Sequence, residues 1–326
     1  MYDHFISLEW AQSNMVIAKM TKESDKVMVK NLPSNIKELS LYLNNLRGRK
    51  ILTFEETTTS QWLYVELKGC VDEILVCDPY RNHLLKEGAK TDELDAIRLV
   101  QLLKAGLLKP VFHSADEFIG LRKLVSGYED MVTAGVRLKN QRAALLRAIG
   151  KHKREQLSGK GSDQFVLEGL DQGIRNYEDE KERYEKQIEK LRKKHLMIRN
   201  LDEIYGIGPI GAVKIVARVV DAKRFEDKWH FLSYCGLVRH EKLSGGRSYG
   251  WKKTRACRAL KSVFKTAAIS VIEGAGNPFK DYYKFLLREK QYAEDRARNA
   301  VARRIAVVAL AIMKSGKRFD AAQLKK

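Results

Sequence analysis

Phe5-Ile6-Ser7-Leu8-Glu9 is the stretch whose reading decides the fold. It is a short strand-forming run that ends on a carboxylate. Two more such runs come close behind, Val16-Ile17-Ala18 and Val27-Met28-Val29, and together they predict an antiparallel meander. Further on, Ile51-Leu52-Thr53-Phe54 and Ile74-Leu75-Val76-Cys77 read as later strands. Residues 35–46 and 61–68 between them are long enough for helices.

Three strands followed by alternating helix and strand is the order of a ribonuclease-H-like domain, although a generic α/β domain shares it. The acids of this region stand at particular places. Glu9 directly follows the first predicted strand, and Glu55 and Glu56 directly follow the fourth. In Lys90-Thr91-Asp92-Glu93-Leu94-Asp95-Ala96, Asp92 and Asp95 lie three apart at the start of a predicted helix, on one face. Strand-end carboxylates with a carboxylate pair on a final helix are what a two-metal phosphodiester site needs. Hard Mg²⁺ takes oxygen ligands, and two ions about 4 Å apart stabilise attacking and leaving oxygens. Taken singly, each acid reads as a solvated charge, and Asp92 as a helix cap.

The charge of +20 is unevenly spread over the 326 residues: zero over 1–112, +5 over 113–200 and +15 over 201–326. A neutral N-terminal third beside a basic C-terminal third suggests separate tasks, the basic end being the footprint of a polyanion binder. Four scattered cysteines without a CxxC pair argue against a zinc site or a disulfide framework. No apolar run reaches the ~18 residues of a membrane span, and Met1-Tyr2-Asp3-His4 lacks the start of a secretory signal. A cytoplasmic, nucleoid-associated protein is expected.

Residues 113–200 carry no strand signal. Ile174, Tyr177, Lys181, Tyr184, Ile188, Leu191, His195 and Ile198 follow a heptad spacing, and Leu124, Tyr128, Met131, Gly135, Leu138, Arg142 and Leu145 a weaker one. The spacing predicts two long helices folded back on each other or paired between protomers, with residues 157–163 as the loop. Lys181 and His195 read as polar interruptions of the seam rather than ligands. Residues 201–326 form a third, mainly helical unit. Its Tyr205-Gly206-Ile207-Gly208-Pro209 turn before an apolar helix has a helix–hairpin–helix-like pattern. Such glycines let backbone approach a phosphate at a helix start, or simply let two helices pack.

The order Ile6-Ser7-Leu8-Glu9, Phe54-Glu55, Lys90-Thr91-Asp92-Glu93-Leu94-Asp95-Ala96, Gly206-Ile207-Gly208, Cys235-Gly236-Leu237 and Leu243-Ser244-Gly245 resembles the DEDD insertion-sequence transposases. That group also includes the Piv pilin-gene invertases. The resemblance covers nearly the whole chain and implies a RuvC-like domain (1–112), an antiparallel coiled-coil oligomerisation segment (113–200) and a C-terminal transposase domain (201–326). It implies Mg²⁺ held by Glu9, Glu55, Asp92 and Asp95, and a nucleophilic Ser244 that becomes linked to DNA. It also implies donor and target DNA as partners, a structured guide RNA, and a tetramer built of dimers whose sites join the acids of one protomer to the serine of another.

Two departures stand out. Glu9 replaces the family's first aspartate, and one added methylene moves its carboxylate outward, which octahedral Mg²⁺ tolerates poorly. The Arg-Gly that often comes after Ser-Gly is here Tyr249-Gly250, leaving Arg247, Lys252 and Lys253 to supply positive charge. Arg255, Arg258 and Lys261, with Gly206 and Gly208, complete the expected nucleic-acid-binding set. By itself Ser244 in Leu243-Ser244-Gly245-Gly246-Arg247-Ser248 reads as a turn residue; His240 and Glu241 are the nearest candidate bases. Rival readings are a junction nuclease that uses metal-activated water without a serine step, and a non-catalytic, domesticated nucleic-acid-binding protein.

Overall fold

The computed structural model describes residues 1–80, 91–113, 118–152, 161–253 and 255–325. The chain divides into two compact units, Met1–Asp116 and Glu117–Lys326.

The first unit is built on a five-stranded sheet in the order β3-β2-β1-β4-β5. Strands β1 (His4–Trp10), β2 (Asn14–Thr21) and β3 (Ser24–Pro33) form the antiparallel meander, and β4 (Lys50–Glu55) and β5 (Glu73–Cys77) run parallel to β1. Side-chain alternation sorts the two faces. Ile6 and Leu8 of β1 and Leu52 and Phe54 of β4 pack with α1 (Ile36–Asn45) and α2 (Ser60–Leu67). The opposite face, with Val16 and Ala18 on β2 and Ile51 on β4, is covered by α3 (Asp92–Lys104) through Ala96, Leu99, Val100 and Leu103. Asn35 caps α1 by accepting from the Lys37 and Glu38 amides, and Thr91 caps α3 by accepting from the Leu94 amide at 3.2 Å. Each cap satisfies donors that a helix start would leave open.

In the second unit, α4 (Phe118–Ala148) and α5 (Ser162–Lys194) pack antiparallel. Tyr128 donates to Glu185 at 3.1 Å near one end, and Arg142 pairs with Asp171 near the other. Gly135 lies under Tyr177, where a Cβ would come within 2.3 Å of the ring. The expected loop at 157–163 lies mostly outside the described residues, and Ser162 and Asp163 already belong to α5. The expected seam does not run unbroken to Ile198. His195 is extended, its ring 5.9 Å from Phe118, and it ends α5. A separate α6 (Leu196–Asp202) then turns Ile198 and Leu201 into a new core.

That core joins the helical segment to the basic segment. Leu121, Val125, Tyr128 and Ile188 pack with residues of α7 (Gly208–Val219), α8 (Lys228–Tyr234), α9 (Arg258–Glu273) and α11 (Glu294–Ser315). α10 (Pro278–Arg288) contributes Phe279. One element departs from the mainly helical expectation: a two-stranded hairpin, β6 (Arg239–Ser244) and β7 (Arg247–Lys253), between α8 and α9. Among the described residues no helix is long and apolar enough to cross a membrane.

Candidate active site and nucleic-acid interface

The acids of the first unit are positioned by strand register. β1 and β4 pair from His4↔Lys50 to Ser7↔Thr53, and the same offset sets Glu9 level with Glu55 on the neighbouring strand. The sequence places each acid just beyond its strand, but both lie inside: Glu9 within β1, and Glu55 as the last residue of β4. The runs continue because Glu9 still pairs with Val16 and Glu55 with Cys77.

Ser7 identifies the face these acids share. Its buried hydroxyl donates to the Ala96 carbonyl of α3 at 2.6 Å. Glu9, two residues on, points to the same side of the sheet. Ile51 packs against Leu99 and Leu103 of α3, so Glu55, four residues on, shares that side. α3 runs opposite to β1: Ala96 sits at Ser7, while Lys104 donates to the Thr21 carbonyl, at the level of His4. The first turn of α3, with Asp92 and Asp95, therefore lies toward the edge that carries Glu9 and Glu55.

The four are held differently. Asp92 is the first residue of α3 and is exposed, whereas Asp95 is 7% exposed and lies 3.7 Å from Arg98. One carboxylate oxygen of Glu9 and one of Glu55 are shielded from solvent. An all-oxygen donor set suits a hard divalent ion. In kind the residues suit such an ion, and their elements bring them toward one edge of the sheet. Among the described residues, however, no three His, Cys, Asp or Glu side chains gather closely enough to hold one. Asp78, absent from the acids singled out by sequence, directly follows β5 at this edge and accepts from the Tyr80 amide at 3.0 Å.

Ser244 belongs to the second unit and ends β6, paired with Arg247. The two residues between them, Gly245 and Gly246, have φ of +54° and +75°. Positive φ at both positions is the two-residue turn whose twist matches a hairpin. Ser244 is exposed there, with Leu243, Tyr249 and Trp251 also 62–66% exposed. Glu241, three residues away, is exposed and pairs with Trp251. The side chain of His240 lies outside the described residues, as does that of Lys253.

The two glycines before α7 differ from each other. Gly206, at φ +83°, faces α9 so closely that a Cβ would lie 2.5 Å from the Ala267 carbonyl oxygen. Helix packing is thus enough to require glycine there. Gly208, at φ +63° and the start of α7, has open space around it.

A groove of about 920 Å³ opens between the base of the hairpin, α9 and α11. The expected Arg255, Arg258 and Lys261 line it, and so do four further cations that the sequence does not single out: Arg239, Lys265, Arg296 and Arg303. Among the described residues no Asp or Glu lines it. The additional cations have a signal: Arg258, Lys261 and Lys265, like Arg296 and Arg303, recur at one-face helical spacing. Cys235, buried just before the groove wall at Gly236, is not a nucleophile candidate. Burial, aided by neighbouring Cys257, pushes its thiol well above the usual range, which keeps it neutral and inert.

Comparison with known families adds two matches. Residues 8–150 match a DEDD transposase family model, and residues 198–284 match that of the transposase IS116/IS110/IS902 family. The first spans the acids and the second the Ser244 hairpin. No curated protein matches the chain.

Proposed function

We propose a serine-mediated strand-transfer mechanism for this chain, which belongs to the IS116/IS110/IS902 family of DEDD insertion-sequence transposases. Membership makes it a DNA transposase, an enzyme that cleaves and rejoins DNA. In our reading Ser244 is the nucleophile, and Glu9, Glu55, Asp92 and Asp95 hold divalent metal, with Mg²⁺ the ion their oxygens suit. The observation that carries this reading is the shared sheet edge: register levels Glu9 with Glu55, and Ser7–Ala96 aims the first turn of α3 toward them.

The Ser244 hydroxyl attacks a DNA phosphorus. Ser244 gives up its hydroxyl proton as an Oγ–P bond forms, the phosphorus–oxygen bond to the neighbouring deoxyribose breaks, and the departing oxygen takes up a proton in exchange. Reversal by a new strand's hydroxyl rejoins the DNA and restores the serine. Mg²⁺ held by these acids would supply Lewis acidity for the displacement at phosphorus. Arg247, paired with Ser244 across the turn, offsets charge on the phosphoryl oxygens. The acids and Ser244 lie in different units of the chain, which accommodates a composite site shared between protomers. We assign that assembly to a tetramer built of two dimers and joined through the α4–α5 pair, with a structured guide RNA pairing to donor and target DNA. Lys252, Lys253, Arg255, Arg258 and Lys261, with Gly208 at a helix start, hold phosphates. Glu9 replaces aspartate at the first ligand position and is the acid whose reach differs most from the family's.

The test is strand cleavage of element-end DNA with Mg²⁺ by the wild type, Ser244→Ala and Asp95→Asn. Loss in both variants supports the serine pathway. Cleavage retained in Ser244→Ala but lost in Asp95→Asn would transfer the chain to water-mediated nuclease chemistry. Nucleic-acid binding with no metal-dependent breakage by the wild type would mark a domesticated binding protein.

A further inference from the structure

From the basic groove of the second unit we infer that it is built for a single-stranded stretch of nucleic acid, with Trp251 as the platform on which one base stacks. This rests on the reading of the chain as a nucleic-acid enzyme and specifies the state of the strand it holds.

Two helices each supply a row of charge. Arg258, Lys261 and Lys265 on α9, and Arg296 and Arg303 on α11, line one groove, each set at positions i to i+7 along its helix. A row of that length covers about 10 Å at ~1.5 Å per residue, or roughly three nucleotide rises of ~3.4 Å. Among the described residues no carboxylate interrupts the rows. They suit a polyphosphate chain and repel nothing along its path.

Cations alone do not separate single strand from duplex. Trp251 does. It lines the same groove and is 62% exposed, a large apolar ring left in solvent beside the cations. A base inside a duplex presents only its edges, because both faces are covered by its neighbours. An unpaired base offers a face, and a charged groove with an aromatic platform is how single strands are held without sequence preference.

The hairpin ties this platform to the chemistry. Trp251 lies on β7, four residues from Arg247, the partner of Ser244. At ~3.4 Å per residue that is about 14 Å along the strand, so the groove grips its occupant within a few nucleotides of the phosphate that Ser244 meets. Unpairing near a scissile phosphate gives such a segment its source, as displaced DNA or as unpaired guide RNA.

The experiment is fluorescence anisotropy of the full chain with labelled twelve-nucleotide oligo(dT), oligo(U) and a twelve-base-pair DNA duplex, over a salt series. Trp251→Ala is expected to weaken single-strand binding about tenfold, within the range of one base–aromatic stack. Trp251→Phe should retain affinity within about threefold, because it keeps a ring. Duplex affinity should change by less than about twofold in either variant, since a paired base offers no face. The double variant Arg296→Gln, Arg303→Gln should reduce the single-strand salt slope by about 1.4, at ~0.7 per phosphate contact. Whichever of oligo(dT) and oligo(U) binds tighter names the occupant. If Trp251→Ala leaves single-strand binding unchanged, or weakens duplex binding as much, the inference is overturned. In that event duplex binding still weakened by Arg296→Gln, Arg303→Gln would leave the transposase mechanism standing. A wild type that binds none of the three probes would remove both.

Discussion

The edge that carries the acids and the hairpin that carries Ser244 are held by opposite means. Glu9 and Glu55 sit on strands whose inner faces are almost wholly buried, and a register slip of one residue would turn every one of those side chains over. Asp95 stands on a helix fixed by Ala96, Leu99, Val100 and Leu103 and by the Ser7–Ala96 hydrogen bond. Ser244 has no such enclosure. It projects on a two-stranded hairpin, shaped by two glycines and exposed along its described length. Position at the first site follows from folding; at the second, the turn sets local shape and the bound partner must supply the rest. If the acids are the metal ligands we propose, a rigid frame suits them; if Ser244 is the proposed nucleophile, reach suits it.

The comparison can be broken or sharpened by substitution. The largest effect is expected for Asp95→Asn: near-isosteric, it should lower Mg²⁺-dependent cleavage about a thousandfold, as loss of a strong electrostatic element does, with little change in thermal unfolding. A matched loss of stability would instead make Asp95 a structural partner of Arg98. Gly206→Ala comes next, because its Cβ would meet the Ala267 carbonyl at a backbone of φ +83°. It should cost about 2–4 kcal/mol in denaturant unfolding of the second unit. An unchanged midpoint, with nucleic-acid binding lost, would make this glycine a phosphate contact rather than a packing one. Ser7→Ala removes a buried hydrogen bond to a carbonyl within α3; a loss of about 0.5–1.5 kcal/mol is expected, along with weaker Mg²⁺-dependent activity as α3 loosens. The smallest effect on stability belongs to Ser244→Ala, which should lose cleavage while its unfolding free energy stays within about 0.5 kcal/mol of wild type. A larger drop would show that the hairpin is a structural element after all.

Much of this is legible in the sequence, for a physical reason. Short β-prone apolar runs at residues 5–8 and 51–54, with carboxylates next to each, place the strands and the acids within a residue or two. Side-chain period and burial leave a trace in a single chain. Tertiary choices leave less. The hairpin reads only as a turn, although Gly245-Gly246 between two short runs is a two-residue hairpin signal, because the flanking strands are exposed and carry little apolar alternation. The seam through His195 reads as continuous because its spacing is regular, yet the helix ends there and Ile198 serves a different core. Lys265, Arg296 and Arg303 do not stand out in the chain because the groove is assembled from two helices distant in sequence. Asp78 escapes notice because the signal of β5 lies in its apolar residues, and a lone acid beyond them looks like an ordinary loop charge.

The central claim, that Ser244 carries the covalent step, is tested most directly by mapping the linkage itself. Wild-type protein is reacted with element-end DNA and Mg²⁺, digested with nuclease and trypsin, and read by mass spectrometry. The account predicts a nucleotide mass on the peptide Leu243-Ser244-Gly245-Gly246-Arg247, absent in Ser244→Ala and kept in Ser248→Ala. A nucleotide on Ser248-Tyr249-Gly250-Trp251-Lys252, or DNA cleaved with no adduct on either peptide, would contradict it.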